Sequence, residues 1–187
     1  MAGLAVMVSG VSSILEAMLA TGLEISLVIA DRPCRGLQLA GAAGIPGVLI
    51  KRSFGPSFKR SVYTREVLET LNTHHIQLVA MAGFMTVLGP SIFDHFGGRI
   101  LNTHPSLLPS FKGDHAVRDA LAAGVKITGC TIHIATPELD NGPILAQAAV
   151  EVLPDDTEVT LQERIKQAER VLYPATIKTL MTKSRAK

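Results

Sequence analysis

Apolar positions fall into short runs set between polar turns and stretches of helical spacing. Runs at residues 4–8, 23–30, 48–50 and 77–82 predict strands, the first of them covered on both faces, since a central parallel strand has no polar face to alternate. Between them, Leu15, Met18 and Leu19 predict a helix over 14–21, and residues 36–43 a second, stopped by Gly44-Ile45-Pro46. After a polar loop over 51–59, Val62, Val67, Leu68 and Leu71 predict a helix over 60–73. A short helix over 91–96 is closed by Gly97-Gly98 and leads into a strand over 100–104. Then follow a helix over 114–123, strands over 126–134 and 144–152, and a long amphipathic helix over 160–182, interrupted at Pro174. Residues 154–158 read as the entry to that helix, with Thr157 as its N-cap. This alternation indicates one Rossmann-like, doubly wound α/β domain: a mostly parallel sheet of about seven strands with helices on both faces.

In such sheets ligands bind outside the carboxyl ends of the strands. Three candidate segments fall there. The turn Ser9-Gly10-Val11-Ser12-Ser13 runs from a strand into a helix, whose N-terminal amides favour phosphate; serine is also an ordinary N-cap. Gly83-Phe-Met-Thr-Val-Leu88 is an apolar turn that reads equally as core. Asn102 and His104 are alternate residues of one strand, so they share a face, and Pro105 ends the ladder. An amide donates to an oxygen that gains charge, and an imidazole moves a proton. A structural histidine followed by a turn fits the same spacing.

Composition narrows the classes. A chain of 187 residues with 47% hydrophobic and 18% charged positions is globular and large enough for its own core. The net charge of +2 argues against nucleic acid. Cys34 and Cys130 form no paired motif or zinc spacing and read as buried small hydrophobes in a reducing cytoplasm. The first apolar run has no basic region before it and is broken by Ser9-Gly10 and Glu16, so it reads as a strand rather than a signal peptide or membrane span. Residues 1–182 are expected to form the catalytic domain and 183–187 a short basic tail.

The segment Asn102-Thr-His-Pro-Ser-Leu-Leu-Pro109, with Gly129-Cys-Thr-Ile-His133 and Leu139-Asp-Asn-Gly-Pro143, resembles the folate-dependent formyltransferases. The likeness runs from Ser9-Gly10 to Glu169 and Tyr173-Pro174. It implies transfer of the formyl group of 10-formyltetrahydrofolate to the amine of glycinamide ribonucleotide, in purine biosynthesis. It also implies a catalytic trio of Asn102, His104 and Asp140, with His133 supporting it or simply part of the core. The acceptor's phosphate falls to Gly10, Ser12, Ser13 and Ile14, and Glu169 also belongs to the acceptor site. Family members usually read Ser-Gly-x-Gly-Ser-Asn there, so Ser12 replaces a glycine and Ile14 an asparagine. The folate falls to Met85, Thr86, Val87 and Leu88, which wall the pterin, together with Asn102. Arg60 resembles an arginine that meets the folate's glutamate tail, and Thr86 stands where many members have a basic residue. The resemblance implies small-molecule partners, no metal, no nucleic acid or membrane, and a monomer or homodimer. The alternatives are a formyltransferase for another amine, such as a sugar nucleotide, and a non-catalytic nucleotide-binding module. The distance from Asp140 to His104 separates the last from the others.

Overall fold

The computed structural model describes residues 3–185, with side chains through residue 182. The elements in chain order are β1 (Gly3–Val8), α1 (Ser13–Ala20), β2 (Leu27–Ala30), α2 (Arg35–Ala42), β3 (Gly47–Leu49), α3 (Arg60–Thr73), β4 (Ile76–Met81), α4 (Ser91–Phe96), β5 (Ile100–His104), α5 (Ala116–Ala122), β6 (Ile127–Ile134), β7 (Ile144–Glu151) and α6 (Glu158–Arg185). The seven strands form one sheet in the order β3-β2-β1-β4-β5-β6-β7. The pairings β1–β2, β1–β4 and β2–β3 are parallel, and β6–β7 is antiparallel.

The chain divides into two compact units, one ending at Leu101 and the other starting at Asn102. In the first, Leu4–Val8 and all of β2 are buried, as expected of strands covered on both faces. In the second, Val117, Cys130, Leu161 and Ile165 form a core cluster, with Ala148 and Val150 packed against it. On α6 the buried positions Leu161, Ile165, Glu169, Tyr173 and Ile177 recur every fourth residue. They form one stripe that lies on the same helix face.

Four expectations are corrected. Only Leu27–Ala30 of the run 23–30 is strand, because Leu23 donates back to Met18 O and closes the turn after α1. The helix at 114–123 begins at Ala116, with Asp114 and His115 in a turn before it. The last helix is not interrupted at Pro174: buried residues flank the proline on one face, and their packing outweighs the lost backbone bond. Cys34 is partly exposed, at the N-cap of α2, while Cys130 is buried as expected. Thr157 caps α6 as expected: its Oγ1 accepts from Thr160 N at 3.2 Å, and Thr160 Oγ1 accepts from Thr157 N at 2.9 Å. Among the described residues, no helix is long and apolar enough to cross a membrane.

Candidate active site

β5 delivers Asn102 and His104 to one face and Thr103 to the other, as the two-residue period requires. His104 is buried, and both of its ring nitrogens meet oxygen acceptors. Nδ1 lies 3.3 Å from Asp140 Oδ2, and Nε2 lies 2.8 Å from the carbonyl of Phe111. The buried Asp140 carboxylate thus stands within ion-pair distance of the ring nitrogen that the Phe111 carbonyl leaves unused.

His133 has the opposite environment. Its Nδ1 donates to the carbonyl of Ile134 at 3.0 Å, which leaves Nε2 as an acceptor 3.3 Å from the amide nitrogen of Asn102. Asp140 Oδ1 is 3.8 Å from His133 Nε2. Burial pushes the His133 pKa below its ordinary value; the Ile134 carbonyl and Asp140 oppose that and do not overcome it. A neutral His133 thus takes one N–H of Asn102, which fixes the amide's orientation and leaves its second N–H free to donate.

The turn carrying Asp140 is held by close approach. Asp140 has φ 52°, in the left-handed region, and its Oδ2 also accepts from Gly113 N at 2.9 Å. A Cβ at Gly142 would lie 1.7 Å from the carbonyl oxygen of Ile134, so only glycine lets the turn meet the end of β6. The β6–β7 register shifts between Ile132 and His133, a bulge that re-aims the histidine.

Several residues that hold this geometry were not foreseen. Thr131 Oγ1 donates to Ser106 O at 2.7 Å and accepts from Leu108 N at 3.0 Å, while Gln147 Nε2 donates to Leu108 O at 2.9 Å. These bonds fix the loop after β5, which supplies the Phe111 carbonyl and the Gly113 amide. Thr103, on the reverse face of β5, donates to Glu169 Oε1 at 2.6 Å. Burial pushes the Glu169 carboxyl above its ordinary value, against that hydrogen bond. The alternation of β5 and the fourfold spacing on α6 were the signals that could have paired Thr103 with Glu169.

The remaining expected residues belong to the first unit. The turn after β1 leads into α1, with Ser12 as N-cap at φ 62° and its hydroxyl donating to Gly10 O at 2.9 Å. That hydroxyl is occupied within the turn and Ile14 is buried, so the amides at the start of α1 are what the loop offers a ligand. Glu16 in the first helical turn is paired with Arg35 at 2.6 Å, which leaves the positive end of the helix less opposed. Ser9 Oγ accepts from Met85 N at 2.8 Å and ties this turn to the segment after β4. In that segment Met85 and Val87 are 60% and 52% exposed, whereas Thr86 and Leu88 are buried, so the first pair alone presents side chains to solvent. Thr86 donates to Asp31 Oδ2 at 2.7 Å. Burial acts to raise the Asp31 pKa, but hydrogen bonds from Arg32, Thr86 and Ser9 hold it below its ordinary value. Arg60, the exposed first residue of α3, runs its stem past Gly89: a Cβ there would lie 3.9 Å from Arg60 Cγ.

Comparison with known proteins places the chain in a family. The sequence matches the formyl transferase family over residues 3–177. It is 44% identical over 186 residues to the phosphoribosylglycinamide formyltransferase of Mycobacterium tuberculosis, covering 97% of this chain and 86% of that protein. The fold superposes on the phosphoribosylglycinamide formyltransferase of Bacillus halodurans with a TM-score of 0.90 at 36% identity, covering 97% of this chain and 96% of that one. For the enzyme of the same name from Anaplasma phagocytophilum the TM-score is 0.88 at 40% identity, covering 97% and 88%.

Proposed function

This chain belongs to the formyl transferase family, and from that premise we propose how its residues carry the formyl group of 10-formyltetrahydrofolate to the primary amine of glycinamide ribonucleotide. The observation that supports the mechanism most is the buried His104–Asp140 pair at 3.3 Å beside an Asn102 amide with one N–H free.

The acceptor amine attacks the formyl carbon. A C–N bond forms, and the carbonyl electron pair moves to oxygen. The free N–H of Asn102 donates to that oxyanion, and the His104 imidazolium supplies a fixed positive charge in a site shielded from water. Direct donation from His104 Nε2 exchanges its bond to the Phe111 carbonyl for one to the substrate. Collapse returns the pair to the carbonyl and breaks the bond to N10 of the folate. The proton lost by the amine replaces the one N10 takes up, passed through His104 or ordered water.

Binding divides in the same reading. The amides around Ser12, Ser13 and Ile14, with Gly10, take the acceptor's phosphate. Glu169 offers the acceptor's hydrogen-bond donors, away from the phosphate, the carboxylate oxygen that Thr103 leaves free. Met85, Val87 and the backbone of Thr86 and Leu88 meet the pterin, with Arg60 toward the glutamyl tail. The test is a formyl-transfer assay with purified protein, 10-formyltetrahydrofolate and a panel of amine acceptors. Glycinamide ribonucleotide should be the best acceptor, and His104→Ala should lower kcat by about 10²–10³-fold with an unchanged thermal melt. A better sugar-nucleotide acceptor would overturn the acceptor assignment, and near-normal turnover in His104→Ala the mechanism.

A further inference from the structure

Residues 51–60 read Lys-Arg-Ser-Phe-Gly-Pro-Ser-Phe-Lys-Arg, four cations and no acid in a chain whose net charge is +2. Elsewhere arginines meet carboxylates: Arg32 with Asp31, Arg35 with Glu16, Arg118 with Asp119, Arg164 with Asp156 and Arg170 with Glu163. Arg52 has no carboxylate partner among the described residues. Its guanidinium lies 4.9 Å from the ring centre of Phe54 and 5.3 Å from that of Phe58. One Nη1–H reaches the Met85 carbonyl at 3.5 Å, and its buried Nε–H has no partner. Phe54 is 68% exposed, a large apolar area to leave in water unless it serves something else.

Two rings around a guanidinium fix its direction, so less side-chain entropy is lost when an anion docks. The position of this cation matters. Arg52 touches one end of the segment Met85–Gly89, and the stem of Arg60 passes the other. Arg32 also stacks on Phe54, at 5.4 Å, but its charge is taken by Asp31. Thr86 is turned inward to Asp31 and carries no charge of its own to the segment.

We propose that Arg52, clamped by Phe54 and Phe58, is a carboxylate-binding residue for the poly-γ-glutamyl tail of the folate, a second cation on this segment besides Arg60. This rests on the reading of Met85–Leu88 as the folate wall and of Arg60 as meeting the tail. A tail with several carboxylates gains from several cations in a row, whereas a monoglutamate engages only the nearest.

The test is calorimetric binding of tetrahydrofolate carrying one or five glutamates, to the wild type and to Arg52→Gln, Arg52→Lys, Phe54→Leu and Lys126→Gln. Lys126→Gln removes a positive charge far along the sequence and controls for net charge. The wild type should bind the pentaglutamate on the order of tenfold more tightly than the monoglutamate, and less so in high salt. Arg52→Gln should lose most of that ratio, Arg52→Lys part of it, and Phe54→Leu about two- to threefold through a loosened guanidinium. Lys126→Gln should keep it. Equal affinity for the two tails in the wild type, or a ratio unchanged in Arg52→Gln, overturns the proposal while the folate reading stands. Failure of both folates to bind the wild type overturns both. A cluster that only staples its loop would lower the melting temperature of Arg52→Gln and change both affinities by the same factor.

Discussion

Asp140→Asn isolates charge from shape at the centre of the proposed mechanism. Asn has nearly the same outline as Asp, and its amide oxygen can still accept from Gly113 N, which now donates to Asp140 Oδ2 at 2.9 Å. What is lost is the negative charge 3.3 Å from His104 Nδ1. With an effective dielectric of about 20, that separation corresponds to about 5 kcal/mol between full charges. The two side chains are 6% and 4% exposed, so salt screens the pair little. The rate reports only the part that differs between ground and transition states. A third to a half of the interaction, about 1.7–2.5 kcal/mol, is roughly a 20- to 70-fold fall in kcat. Steady-state kinetics at pH 7.5, with a thermal melt of each protein, supply the comparison. A kcat within threefold of wild type refutes the electrostatic role of Asp140.

Other outcomes follow from the same geometry. Ser13→Asp places a carboxylate in the first turn of α1, where it favours the helix by about 0.3–1 kcal/mol but repels a phosphate; the melting temperature should hold or rise while the acceptor KM increases at least about tenfold, and an unchanged KM moves the phosphate elsewhere. Glu169→Gln should stabilise the fold at pH 7.5 by about 1–3 kcal/mol, a few degrees in melting temperature, while weakening the acceptor. Burial raises the Glu169 carboxyl above its ordinary 4.5, so its contribution is fully present below that value and lost as pH rises through the folded value. The gain should therefore vanish in acid, and an equal gain at all pH values would point to packing instead.

The fold was legible because β1 and β2 are buried on both faces and leave unbroken apolar runs, with helical spacing between the strands that follow. α3, α4 and β5 begin and end where the pattern places them. Two expectations failed for different reasons. At Leu23–Ser26 the local composition allows extension, but the turn closing α1 takes the backbone bond of Leu23, a contact only five residues long. At Pro174 the local rule calls for a break, but Tyr173 and Ile177 are fully buried on the inward stripe of α6, and tertiary packing overrides local propensity.

The site was legible in its members and not in their relations. Asn102 and His104 could be paired by strand period alone, and Asp140 lies close enough to His104 for an ion pair. The different partners of the two rings could not be read from the chain, since each meets a single backbone carbonyl. His133 meets Ile134 O with Nδ1, which leaves Nε2 as an acceptor, while His104 meets Phe111 O with Nε2 and keeps Nδ1 toward Asp140. Gly142 controls the same geometry from outside the reacting groups, because any Cβ there collides with Ile134 O, the acceptor that sets His133. The turn read in the sequence as a mere Leu-Asp-Asn-Gly therefore has two duties. Its aspartate faces one histidine at ion-pair distance, and its glycine lets the backbone close on the strand whose carbonyl holds the other.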